Sequence, residues 1–243
     1  MRTLVIQSCS AVARGGWMQS CLRSVESWAA ANVFDYRFVG DEIFELVPAW
    51  YLAKVPDKLP IATDYARLVL LQRALADGYD QALWLDADVL VLDPAMTLAF
   101  DGSCAFGQEV WVEPRQGRLQ ARRNVHNAVA VFRRGCPVLP FLLHCIESLM
   151  RRVDPAHIAP QFVGPKLLQA LHPLADFALL PQVGALSPAV VDALCKGGGE
   201  ALTLMLEHSP VPPKAVNLCA SLIGEQEARA VIELLHNKGL APP

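Results

Sequence analysis

The sequence predicts an α/β fold: one domain built on an open sheet with helices packed on its faces. Three observations predict it. Residues 2–39 read strand, helix, strand, the opening of a nucleotide-binding α/β unit. The apolar run 82–85 has the length of a strand buried on both faces. Finally, 243 residues with 53% hydrophobic content and a mean hydropathy of +0.29 supply the core of one large α/β domain.

Composition narrows the function classes. A net charge of −3 argues against a nucleic-acid binder, because phosphate backbones demand a basic face. No apolar run approaches the ~20 residues of a membrane span, and Leu4-Val5-Ile6 is too short for the apolar region of a signal peptide. Seven cysteines form an odd set without a Cys-x-x-Cys pair. They read as reduced core thiols of a cytoplasmic protein, at most peripheral to the inner face of a membrane.

Taken in order, the first strand is predicted at 2–6, ending in small polar residues of which Ser8 lies either beside a ligand or in an ordinary turn. Trp17, Cys21, Val25 and Trp28 recur at helical spacing, and 36–39 is the second strand. Residues 44–60, punctuated by Pro48, Pro56 and Pro60, read as an irregular surface loop. Thr63 then reads as the cap of a helix with Tyr65, Leu68, Val69 and Leu75 inside, closed by Gly78. On residue type alone, Asp64 and Arg67 are a capping acid and a solvated base. Further on, 104–107 is a short strand, 115–123 a basic loop, and 128–132 an apolar strand. Residues 137–152 form a helix, 178–180 a strand, a helix runs from Ser187 to Cys195, and 225–237 is the closing helix. Gly197-Gly198-Gly199 is a flexible turn, since no strand or Lys-Ser/Thr accompanies it. The arginines of the basic loop are either a solvated face or a contact for an anionic acceptor or phosphate.

Asp86 and Asp88 carry the chemistry. An ionised Asp in mid-strand would cost several kcal/mol, so both belong at the strand's exit. In an open α/β sheet that carboxyl end is where ligands bind. Side chains at i and i+2 of an extended chain share a side, so the carboxylates should converge, and two close like charges call for a cation. An oxygen-only donor pair favours Mn²⁺ or Mg²⁺. The alternative is a strand-end turn with solvated charges.

Residues 63–68 (Thr-Asp-Tyr-Ala-Arg-Leu), Gly78-Tyr79-Asp80 and 83–92 (Leu-Trp-Leu-Asp-Ala-Asp-Val-Leu-Val-Leu) together resemble the central motif of glycosyltransferases with the GT-A fold, most closely families 8 and 32. The resemblance covers residues 60–170 best. It implies a mixed, mostly parallel Rossmann-like sheet in one domain, with 1–95 as the nucleotide-binding half and 96–243 as the donor-sugar and acceptor half. It implies Mn²⁺ or Mg²⁺ held by Asp86 and Asp88 and bridging the diphosphate of a nucleotide-sugar, usually a UDP-sugar. Asp64 and Arg67 would line the donor sugar and diphosphate; Ser8, on residue type alone, could lie beside the nucleotide base. Asn127, in Asn127-Ala128-Val129, matches the asparagine that touches the donor sugar. The segment 160–168 is similar to the Gly-Pro-x-x-Leu helix start of family 32 and to the Asp-Gln-Asp segment of family 8, but Pro160 and Phe162 replace the acids and Gln161 alone carries over. His208 and Lys214 keep the six-residue spacing of a C-terminal His and Lys that complete the metal shell and meet the diphosphate, although the Gly, Pro and Trp of that motif are replaced.

The implied activity is metal-dependent transfer of a sugar to a saccharide or other small acceptor with retention of anomeric configuration, no carboxylate at a motif position being left to act as an inverting base. Two alternatives remain at this stage: an inactive nucleotide-sugar-binding module of the same fold, and a haloacid-dehalogenase-type phosphatase. The latter wants Asp-x-Asp-Gly-Thr near the N-terminus, where this chain has Val89-Leu90 after Asp88.

Overall fold

A computed structural model describes residues 1–11 and 13–240. Its main sheet has six strands in the order β2-β1-β3-β6-β5-β7. These are β1 (Thr3–Ser8), β2 (Asp35–Val39), β3 (Gln81–Leu85), β5 (Cys104–Arg115), β6 (Arg118–Arg133) and β7 (Ala178–Leu180). Strand β1 runs parallel to β2 and β3, β6 is antiparallel to β3 and β5, and β7 is parallel to β5. Every strand but β6 therefore points the same way, and the expected mixed, mostly parallel sheet is what the chain forms. A second sheet, β4-β9-β8, consists of β4 (Val89–Val91), β8 (Val183–Ala185) and β9 (Ala215–Asn217).

Side-chain alternation assigns the faces of the main sheet. Leu4, Ile6, Ala82, Trp84, Ala130 and Phe132 point to one core, shared with α3 (Leu59–Ala76) and α4 (Val138–Arg152). Val5, Leu83, Leu85, Val129 and Val131 point to the opposite core, under α1 (Met18–Ala31). A third core holds Leu90, Val216 and Leu218 against Val110 and Val112 of β5 and three helices, α6 (Pro188–Cys195), α7 (Glu200–His208) and α8 (Glu225–Lys238).

Several elements differ from the sequence expectation. Residues 44–60 are not irregular: a 3₁₀ turn (Asp41–Leu46) and the short α2 (Ala49–Leu52) precede α3, which starts at Leu59 with Pro60 in its first turn. A proline there gives up a donor that has no intrahelical partner anyway, so it begins the helix instead of ending a loop. Thr63 is consequently one turn inside, its hydroxyl donating to the Leu59 carbonyl at 3.1 Å, and caps nothing. The basic loop is a β-hairpin. Arg115 and Arg118 pair across a two-residue turn in which Gln116 and Gly117 both have positive φ, the backbone of a type I′ turn. The chain also forms β8 and β9, three residues each and too short for any periodic signal. Ser187 caps α6 as expected, accepting from the Val190 N–H.

Candidate active site

The sheet reverses its winding between β1 and β3: the chain leaves β1 for β2 on one side and returns to β3 on the other. A crevice opens at the carboxyl ends of the strands flanking such a point. Gln7, fully buried in β1, clamps it shut at the backbone, donating to the Asp86 carbonyl at 3.1 Å and accepting from the Tyr36 hydroxyl at 3.0 Å.

Asp86 and Asp88 stand at this crevice, brought together by a turn and not by strand alternation as the sequence suggested. The Val89 N–H closes that turn onto the Asp86 carbonyl at 3.1 Å. Asp86 Oδ1 accepts from the Trp84 indole at 2.6 Å and lies 3.1 Å from Arg67 Nη1. Asp88 has other partners: Oδ1 accepts from Asn217 Nδ2 at 2.7 Å and Oδ2 from the Ala220 N–H at 2.8 Å. Burial, then the neighbouring Asp86 charge, pushes the Asp88 carboxyl well above the usual range.

Arg67 is buried, not the solvated base that residue type suggested. Its guanidinium bridges Asp86 and Asp64, the latter at 3.1 Å through Nη2, donates to the Asn127 carbonyl at 2.7 Å, and lies 5.0 Å from the Trp84 ring centroid. Asn127 Nδ2 donates to Asp64 Oδ1 at 2.7 Å. Asp64 is thus no cap but one end of a chain of groups, Asn127–Asp64–Arg67–Asp86, joining α3, β6 and the exit of β3.

Asn127 reaches the site because β6 bulges. Between the pairs Phe106–Ala130 and Gly107–His126, one step on β5 matches four on β6, and the surplus residues 127–129 turn toward β3, where the Asp86 N–H donates to the Ala128 carbonyl at 2.8 Å. Gly107 permits the bend, since a Cβ there would lie 2.2 Å from His126 Nε2. That nitrogen lies 3.0 Å from the Val183 carbonyl, which can only accept, so the proton sits on Nε2 and the buried Nδ1 is left without a partner among the described residues.

Gly164, just before α5 (Pro165–Leu171), packs against this chain of groups. A Cβ on it would sit 2.6 Å from Asp64 Oδ2 and 2.9 Å from Asn127 Nδ2. Gly164→Ala should therefore cost about 1–3 kcal/mol of stability as Asp64 and Asn127 are pushed apart. Chemical denaturation measures the loss, which should be smaller in an Asp64→Ala background, where the nearest clash is removed.

Burial raises the Asp64 carboxyl to about 6, outweighing the opposing pull of Arg67 and the Asn127 hydrogen bond. A carboxyl raised on folding adds stability that is complete below its unfolded value of 3.8 and is lost as pH rises through about 6. Asp64→Asn is expected to flatten the curve of melting temperature against pH between about pH 4 and 6; a curve unchanged in that window overturns the assignment.

Two cavities meet at Arg67, Asp86 and Asp88. One, of about 350 Å³, opens beside the end of β1 and contains Ser8, Asp41 and Thr63. The other, of about 450 Å³, lies toward the hairpin and contains Asp64, Asn127, Gln161 and Asn217. Gln161 is exposed at its rim with φ +62. Ser8, Asp64, Arg67, Asp86, Asp88, Asn127 and Gln161 are thus all brought to one crevice.

His208 and Lys214 are not. His208 is exposed at the end of α7, its Nδ1 2.9 Å from the Leu204 carbonyl, and Lys214 pairs with Asp93 at 2.9 Å. The register of the second sheet explains this. Strand β9 runs antiparallel to β4, from Ala215 opposite Val91 to Asn217 opposite Val89, so the chain passes Lys214 at the far end and delivers Asn217 to Asp88. Asn217 was missed because nothing in the sequence marks so short a strand. Glu109, Trp111 and His126 also line the larger cavity; the alternation of Glu109, Trp111 and Glu113 with Val110 and Val112 is a strand signal for the first two, and nothing in the sequence marks His126.

Among the described residues, no group of three or more His, Cys, Asp or Glu side chains could hold a metal ion. The carboxylate pair still fits a hard cation in part. Its oxygens are of the right chemistry, and Asp88 pairs with no Lys, Arg or His side chain among the described residues, its two oxygens being held by Asn217 and the Ala220 N–H. Asn217 is engaged in holding Asp88: its amide donates to Asp88 Oδ1 at 2.7 Å and its Oδ1 accepts from the Cys219 N–H at 2.8 Å. Any ion here has to draw its remaining ligands from water and a bound phosphate.

No protein-family model matches the chain, and no curated protein does. Solved structures do. A glycosyltransferase involved in the glycosylation of the major capsid of PBCV-1 is similar with a TM-score of 0.55 at 11% identity, over 96% of this chain and 100% of that one. The galactosyltransferase LgtC, in complex with donor and acceptor sugar analogues, gives 0.47 at 15% identity over 95% of both chains. Mouse xyloside xylosyltransferase 1 gives 0.47 at 11%, over 92% of this chain and 100% of that one. At such identities the likeness is one of fold: the chain has a GT-A-like glycosyltransferase fold.

Proposed function

We propose that the protein is a metal-dependent glycosyltransferase that moves a sugar from a nucleotide-sugar, a UDP-sugar in the first instance, to a saccharide acceptor. The observation that carries this reading is the placement of Asp86 and Asp88 at the reversal point of the sheet, between one cavity at the end of β1 and another lined by Asp64 and Asn127. The first cavity suits the nucleotide and the second the sugar, with the diphosphate between them at the carboxylates.

The chemistry follows from charge. Cleaving the bond between the anomeric carbon and the diphosphate builds negative charge on the leaving oxygen. A divalent ion held by Asp86 and Asp88 supplies Lewis-acid neutralisation of that charge when bound. Arg67 fixes Asp86 and Asp64, while Asn127 and Asp64 orient sugar hydroxyls. Retention is proposed on the resemblance. Product linkage by NMR from an α-linked donor tests it, and a β product ends it.

Because the described residues bring only two carboxylate ligands together, Asp86 and Asp88, metal and donor should bind jointly. Mn²⁺ alone and UDP-sugar alone are expected to move the melting temperature little, and together to raise it clearly. Equal shifts with and without metal overturn the metal role; no shift with any of UDP-glucose, UDP-galactose and their N-acetyl derivatives overturns the UDP-sugar donor.

A further inference from the structure

The larger cavity has a wall that the donor does not use. Beyond Asn127, the β5–β6 hairpin presents Glu109 and Trp111 opposite Asn124 and Arg122, in register, on its cavity side. The intervening Val110 and Val112 are buried in the third core, so this wall is held rigidly. Asn124 Nδ2 donates to Glu109 Oε1 at 3.1 Å, and Asn124 Oδ1 accepts from Gln169 Nε2 at 3.4 Å, a chain that orients the carboxylate. Among the described residues, nothing hydrogen-bonds Glu109 Oε2. Asp64 and Asp86 also keep one oxygen without a hydrogen bond among the described residues, but their other oxygen is held by Arg67, whereas Glu109 meets no cation among those residues and is the carboxylate of the hairpin wall. Half-buried Trp111 stands one pleat away with an aromatic surface.

The charge of the wall selects against anions. Arg122 pairs with Glu113, as does Arg115, Arg123 donates to the His208 carbonyl, and Arg67 is held between two aspartates. The cavity therefore offers a carboxylate, an amide and an aromatic ring, but no cation free of a carboxylate partner among its described residues. That set suits a neutral pyranose, whose hydroxyls donate to carboxylate oxygens and whose C–H face packs on an aromatic ring.

We propose that Glu109, Trp111 and Asn124 form the acceptor subsite and that it takes an uncharged hexopyranoside. This rests on the glycosyltransferase reading. Glu109 and Trp111 are here positioning and specificity residues.

Saturation-transfer NMR on the full chain with UDP and Mn²⁺ tests it, with methyl glucoside, galactoside and N-acetylglucosaminide as probes, each beside its matching glycuronide where one exists. The neutral glycosides should bind. Trp111→Ala should weaken them about tenfold or more while Trp111→Phe keeps most of the affinity. In transfer assays, Glu109→Gln should raise the acceptor KM more than it lowers kcat. The proposal fails if no neutral glycoside binds the wild type, if the variants bind as the wild type does, or if a glycuronide binds more tightly than its neutral partner. It also fails if Glu109→Gln collapses kcat at unchanged KM, the signature of a proton-accepting base. Should Trp111→Ala not fold, Trp111→Phe and Glu109→Gln carry the test. The melting shift of the wild type with UDP-sugar and Mn²⁺ isolates the parent reading: a shift without glycoside binding sinks the acceptor subsite alone.

Discussion

Asp88→Asn is expected to abolish the joint stabilisation by Mn²⁺ and UDP-sugar and to lower turnover by about 10²–10³-fold, the range seen when one fixed charge-stabilising group is removed from an active site. At a donor concentration of about 100 Kd the wild type should gain about 2.7 kcal/mol, or roughly 5–10 °C in a protein of this size. Asp88→Asn should gain nothing, because it leaves one carboxylate, and that one already shares an oxygen with Arg67 and Trp84. The unliganded variant should stay within about 1 kcal/mol of the wild type, since two effects oppose each other. Removing the Asp88 charge relieves its repulsion with Asp86, which favours the fold above pH 6. Against this, the new amide must face one of two donors, Asn217 Nδ2 or the Ala220 N–H, in place of an acceptor. A ligand-induced shift that survives in Asp88→Asn would remove the metal from the reading; a large fall in unliganded stability would make Asp88 a structural residue.

How much of this was legible beforehand depends on which interactions are local. The carboxylates at the end of an apolar run, the helix carrying Asp64 and Arg67, and Asn127 at the head of the next strand all announce themselves within a few residues. Their roles did not. Arg67 reads as solvated because residue type says nothing of the sheet that buries it, and Thr63 reads as a cap because a proline such as Pro60 marks a loop end and a helix start alike. His208 and Lys214 were tied together by spacing, yet the register of β9 against β4 sends them to the periphery and brings in Asn217, which carries no sequence mark. Three-residue strands are specified by what they pair with, and the β4 partner of β9 lies more than a hundred residues away. The hairpin was legible in principle; its arginines drew attention from the alternation of its valines.

Arg67→Met is the variant expected to cost most in stability. The guanidinium is 6% exposed and is the only cation meeting Asp64 and Asp86 among the described residues. Removing one member of a buried ion network typically costs about 3–5 kcal/mol, because the remaining charges stay behind without compensation. For a domain of this length that is a fall of roughly 6–20 °C in melting temperature. Arg67→Lys should recover only part of it: an ammonium can reach one carboxylate, whereas the planar fork spans Asp64, Asp86 and the Asn127 carbonyl together. The double variant Asp64→Asn/Arg67→Met discriminates between two origins of the loss. If uncompensated charge is the cause, neutralising Asp64 should return about 1–3 kcal/mol, a coupling readable from a double-mutant cycle in urea. If packing of the long side chain against Trp84 is the cause, the two substitutions should add. Stability and catalysis part company here, since the double variant still lacks the group that holds Asp86 at the crevice, so its melting temperature should recover in part while transfer does not.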